Sequence, residues 1–103
     1  MGNRKLPFGY EMKMGDILLH KGEAFIVQEI FRRYNLGSSY KDLVDWLKEQ
    51  SVPYLAGKIW NKNMVARILE DRRYIGADGF PALLSAETMD LVAEKRAMKQ
   101  VPI

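Results

Sequence analysis

The sequence predicts a mainly α (α+β) domain: a short N-terminal β-hairpin, then three to four helices, two of them forming a helix-turn-helix-like pair. Three observations predict it. Apolar residues alternate early in the chain, their period then lengthens to the helical value, and a capping residue or a glycine stands at most boundaries between periodic segments. The 103 residues suit one compact domain spanning 1–103.

Residues 6–21 read as the hairpin. Phe8 and Tyr10 alternate, Lys13-Met14-Gly15-Asp16 has turn chemistry, and Ile17-Leu18-Leu19 restarts the apolar run before Gly22 punctuates it. From Glu23, Ile26, Val27, Ile30, Phe31 and Tyr34 recur at helical spacing, and Leu36-Gly37 ends this first helix. Ser39 caps a second helix with Asp42 three residues on, as in a capping box. Tyr40, Leu43, Val44 and Leu47 give its stripe through about Glu49. Pro53 and Gly57 make residues 51–60 a loop. Asn61 then caps a third helix, to about Glu70, with Met64, Val65, Ile68 and Leu69 inward and Lys62, Asn63, Ala66, Arg67 and Glu70 outward. Tyr74-Ile75-Gly76 is a short strand or an extended segment leading to a tight loop at Asp78-Gly79, and Pro81 argues against a central strand. Ser85 caps a last helix, about Ala86 to Lys99. Its first turn carries Glu87, and Met89, Val92 and Ala93 make only a weak apolar face.

Composition narrows the function classes. A hydrophobic fraction of 48% and a charged fraction of 28% exclude a disordered chain. With no cysteine there is no disulfide, no thiolate nucleophile and no cysteine-held zinc, which fits a reducing, cytoplasmic setting. No apolar run is long enough to span a membrane, and the N-terminus has no signal-peptide core. The net charge of +3 is unevenly spread. Residues 54–76 hold Lys58, Lys62, Arg67, Arg72 and Arg73 against only Glu70 and Asp71, and the N-terminal stretch adds Arg4 and Lys5. Clustered cations favour a phosphate backbone through counterion release, although charge alone fits a solvated surface equally well.

The second and third helices are a candidate helix-turn-helix. Asn61-Lys62-Asn63 places amides and a cation at a helix N-terminus, where side chains meet base edges in the major groove, and Arg67 lies one turn further on the same exposed face. Periodicity alone equally describes an ordinary amphipathic helix. The connecting loop is also far longer than the three or four residues of the tight motif.

Leu6-Pro7-Phe8-Gly9-Tyr10 and then Glu23-Ala24-Phe25-Ile26-Val27-Gln28-Glu29-Ile30-Phe31 resemble the opening of the recombinase domain of large serine site-specific recombinases, of the resolvase-invertase family. The resemblance continues in order through Gly37-Ser38-Ser39-Tyr40, Leu43, Trp46-Leu47, Val52-Pro53 and Gly57 to Val65. It closes with Ile68-Leu69, Tyr74-Ile75-Gly76 and Leu83 to Thr88, covering about residues 6–99. The chain departs from the family in three places. Asn61 stands where serine or threonine is usual, which caps equally well. Ser51-Val52-Pro53-Tyr54 replaces Gly-Ile-Pro-Thr, and Phe80-Pro81 follows a short loop where further basic residues and His-Pro are common.

The resemblance implies the DNA-binding part of a longer enzyme, bacterial or carried by a phage or other mobile element. That enzyme would cut DNA with a serine in a separate resolvase-type domain. The catalytic domain and the zinc ribbon that commonly follows lie outside these residues, so the chain by itself is expected not to be an enzyme and to use no cofactor or metal. The expected partner is double-stranded DNA, at one half of a recombination attachment site. Lys62, Asn63 and Arg67 are expected to read bases; Lys58, Tyr54, Arg72 and Arg73 to hold phosphates; and Arg4 and Lys5 to lie along the minor groove. The parent is expected to form dimers and tetramers on DNA, and the isolated domain to be a monomer.

Single residues add little chemistry. Ser38, Ser39, Ser51 and Ser85 read as caps and loop residues, His20 as a surface or packed residue, and Trp46 and Trp60 as core. Asp42, Asp45, Glu87 and Asp90 read as cap and surface charges, and Arg32 and Arg33 face solvent. The rival readings are a winged-helix transcription regulator and a protein-interaction module using the last helix.

Overall fold

The computed structural model describes residues 6–99. Strand β1 (Tyr10–Lys13) pairs antiparallel with β2 (Asp16–Leu19), with Tyr10 opposite Leu19 and Lys13 opposite Asp16. The two linking residues, Met14 (φ 52°) and Gly15 (φ 86°), are both left-handed. That turn follows the right-handed twist of the strands. Four helices follow: α1 (Lys21–Asn35), α2 (Tyr40–Glu49), α3 (Lys62–Glu70) and α4 (Ala86–Lys99). The mainly α architecture with an N-terminal hairpin is the one read from the sequence.

Two boundaries differ from the expectation. Helix α1 starts at Lys21 rather than Glu23, because His20 is its N-cap: the ring Nδ1 accepts the Glu23 amide at 3.1 Å. Gly22 therefore lies inside the helix, and the Glu23 carboxylate accepts the Gly9 amide at 2.9 Å, tying α1 to the hairpin. The second correction is Tyr74-Ile75-Gly76, which is no strand. Arg72–Ile75 forms a short 3-10 turn capped by Asp71, whose Oδ1 accepts the Arg73 amide at 3.0 Å, and Gly76 (φ 102°) ends it. A local cap is available here and no strand lies alongside, so the backbone satisfies itself by turning. The tight loop expected at Asp78-Gly79 is present, with both residues left-handed.

The core lies between α1 and the other helices. Val27, Ile30, Phe31 and Tyr34 of α1 are fully buried and meet Leu43 and Leu47 of α2, Val65, Ile68 and Leu69 of α3, and Met89 and Val92 of α4. Each such side chain contributes about 1.5–3 kcal/mol by leaving water. Ala93, expected on the inner face of α4, is exposed. The segment after α3 is anchored by tyrosines. Tyr74 is 1% exposed and donates to the Phe8 carbonyl at 2.6 Å; Tyr10 shares its proton between the carbonyls of Arg73 (2.9 Å) and Pro81 (2.8 Å). Burial pushes the Tyr10 phenol up to about 12 and raises that of Tyr74 further.

Candidate nucleic-acid interface

The loop before α3 is ordered despite its length. Phe8, Tyr54 and Trp60 form an aromatic cluster: Phe8 stacks on Tyr54 at 5.7 Å and meets Trp60 edge-on at 5.2 Å, and Tyr54 meets Trp60 at 5.4 Å. The Trp60 indole N–H donates to the Val52 carbonyl at 3.1 Å, closing the loop on itself. Trp60 is core, as the sequence suggested; Trp46, expected there too, is only half-buried, with the Arg33 guanidinium covering its ring at 4.2 Å.

That closed loop delivers Asn61 to the start of α3. Its backbone is extended and its Oδ1 accepts the Met64 amide at 2.9 Å, the cap expected of it. With the cap fixed and Val65, Ile68 and Leu69 driven inward, Lys62, Asn63, Arg67 and Glu70 must face solvent. A concavity of about 260 Å³ beside the helix joins Tyr54, Lys58, Asn63 and Arg67. A second groove, of about 560 Å³, runs past the end of α3 and joins Tyr54, Arg67, Arg72 and Arg73 with the acids Glu70, Asp71 and Asp78. Tyr54 and Arg67 line both. Lys62 lines neither and stands exposed on the first turn.

The electrostatic state of these cations separates them. Lys58, Lys62, Arg67 and Arg72 are exposed and make no ion pair with any described residue. Arg73 is held differently. Its guanidinium bonds both oxygens of Asp71, at 2.9 and 2.7 Å, and lies over the Phe80 ring at 5.4 Å. The Asp71 hydrogen bond raises its already high pKa. Arg4 and Lys5 lie outside the described residues.

Two functional neighbours escaped the sequence reading. Asp71 serves both as the cap of the 3-10 turn and as the partner of Arg73. Arg96 of α4 reaches Glu70 at 2.9 Å and the Tyr40 hydroxyl at 2.8 Å. Spacing of 26 and 56 residues carries no periodic signal, so only folding reveals the second. Elsewhere the expected caps are in place: Ser39 and Asp42 form a reciprocal capping box, and Ser85 Oγ accepts the Thr88 amide at 3.2 Å. Among the described residues no three His, Cys, Asp or Glu side chains group as metal ligands would, and no helix is long and apolar enough to cross a membrane.

Fold and face together define a small helical domain presenting a capped helix flanked by cations that pair with no described residue. The family model described as Recombinase matches residues 21–99, and the chain belongs to that family. Its fold is similar to that in a crystal structure of an LSR–DNA complex, an LSR being a large serine recombinase. The TM-score is 0.75 at 19% identity, over 99% of this chain and 35% of that one. It is also similar to a structure concerned with the sequence requirements of the Listeria innocua prophage attP site, with a TM-score of 0.71 at 19% identity, over 94% of this chain and 44% of that one. The chain thus spans less than half the length of either. A comparison with curated protein sequences finds no match.

Proposed function

We propose that this chain is the sequence-reading DNA-binding domain of a large serine recombinase, acting at one half of a recombination attachment site. The observation that carries the reading is a set of four exposed cations, Lys58, Lys62, Arg67 and Arg72, that pair with no described residue, on and beside a helix whose N-terminus is capped and open to solvent. A helix of this kind fits the major groove of duplex DNA. Lys62, Asn63 and Arg67 would meet base edges, and Lys58, Tyr54 and Arg72 the phosphates on either side. Arg73 contributes less, because Asp71 already neutralises it. Arg4 and Lys5 would follow the backbone or minor groove, and strand cleavage would belong to another domain of a parent enzyme that assembles as dimers and tetramers on its sites. The winged-helix alternative is disfavoured: the hairpin precedes α1, and among the described residues no strand pair follows α3.

The test is fluorescence anisotropy with a labelled random-sequence duplex, followed by selection from a randomised pool. Binding at 50 mM salt should weaken steeply by 200 mM, with a log–log slope of roughly −3 to −4, since on random sequence all four cations lie against phosphates. A folded sample that binds at neither salt overturns the reading. Binding without enrichment of any motif removes its sequence-specific part.

A further inference from the structure

We infer that Arg96, remote from the proposed base-reading residues in sequence, is a positioning residue that keeps Arg67 available to DNA by holding Glu70. The inference rests on the DNA-binding reading above and deepens it. Glu70 is the one acid on the outward face of α3, two turns beyond Asn63 and three residues beyond Arg67. Residues at that spacing are neighbours on a helix, so a glutamate there can reach the arginine, with the cation-first order the less favourable of the two. The same molecule shows such a capture where the acid comes first along the helix. On α1, Glu29 faces Arg32 and Arg33 at three and four residues and bonds both, at 2.8 and 3.1 Å.

On α3 the corresponding capture does not occur. Arg67 has no ion pair with any described residue, and the Glu70 carboxylate is turned to Arg96 at 2.9 Å. The Arg96 side chain is only 15% exposed, and its Nε is fixed by the Tyr40 hydroxyl at 2.8 Å. Arg96 is thus braced by α2 while it reaches α3, so its guanidinium reaches Glu70 from a fixed place. Two consequences follow. The one acid on the outward face of α3 is neutralised from behind, and Arg67 keeps its freedom for a base or phosphate.

The experiment compares the wild type with Arg96→Met, Glu70→Gln and the double variant, binding a labelled random-sequence duplex at 50 mM salt, with thermal melts as a control for folding. Arg96→Met should lose affinity roughly three- to tenfold, Glu70→Gln should stay within about twofold, and the double variant should recover to near wild type. Failure of Glu70→Gln to rescue Arg96→Met, with both folded, overturns the proposal, since a purely structural role for Arg96 would not be repaired by removing Glu70. Arg96→Lys, which keeps the charge, should retain most of the affinity. A second measurement needs no DNA: the Arg67 Nε–H resonance, followed from pH 3 to 6. It should respond to carboxylate titration in Arg96→Met and not in the wild type; the same response in both overturns the proposal. If the wild type binds no duplex, the DNA reading fails by itself, and the resonance still decides whether Arg96 restrains Glu70.

Discussion

Helices α1 and α3 carry arginines on their solvent faces in similar local sequence, yet the two faces differ electrically. On α1 both arginines fold back onto Glu29, whose carboxyl is held below its ordinary range first by the Arg32 hydrogen bond, and Arg33 also covers Trp46. On α3 and its flanks Lys58, Lys62, Arg67 and Arg72 have no acid to fold onto, because Glu70 is engaged by Arg96 and Asp71 by Arg73. Counting charges makes the two helices alike, and the flanks of α3 add Lys58, Arg72 and Arg73 against Asp71 alone. Pairing leaves one a self-neutralised surface and the other, on the proposed function, a surface with cations left to displace counterions from DNA.

The largest effect expected from this difference is on DNA affinity. Replacing Lys62, Arg67 and Arg72 together by alanine should weaken duplex binding roughly 100-fold or more and reduce the salt slope by about 2 to 3, measured by anisotropy. Replacing Arg32 and Arg33 should leave binding within about twofold, and equal losses from the two sets would dissolve the distinction.

Raising the pH tests the tyrosines that anchor the segment after α3, and it is read without DNA, because lysines ordinarily lose their charge in the same range. The Tyr10 phenol, 2% exposed, titrates at about 12 in the folded chain against an ordinary 10, and that of Tyr74 is raised further by burial. Between pH 10 and 12 the unfolded chain gives up phenolic protons that the folded chain keeps. The stabilisation is therefore complete below pH 10 and is lost as the pH climbs toward 12, by about 2–3 kcal/mol for Tyr10. Melting temperatures followed by circular dichroism should fall steeply in that window and less steeply in Tyr10→Phe; equal slopes would remove Tyr10 as the cause.

The smallest effect sharpens the comparison from the other side. Glu29→Gln should free Arg32 and Arg33 and raise binding to random-sequence DNA about two- to threefold at low salt, with no change in any selected motif. A changed motif would mean that α1 reads bases too.

How much of this was legible in the chain follows the range of the interactions. The hairpin turn, the capping box of Ser39 and Asp42, the Asn61 cap and the inward stripes depend on residues within about four positions of one another, and the sequence displays them. His20 as a cap was missed because a histidine rarely fills that role, which delayed the start of α1 by two residues. The 3-10 turn at Arg72–Ile75 was missed because a β-branched residue and an aromatic suggest a strand, whereas Asp71 caps a turn.

By itself, then, the sequence determined a mainly α domain, the outward placement of Lys62, Asn63 and Arg67, and the resemblance that placed it among the recombinases. The closed state of the 51–60 loop, the withdrawal of Arg73 onto Asp71 and the clamp of Arg96 on Glu70 were decided only in three dimensions. The reason is physical. Helical periodicity fixes which way a side chain points, but whether a charge is free depends on what arrives opposite it from another part of the chain.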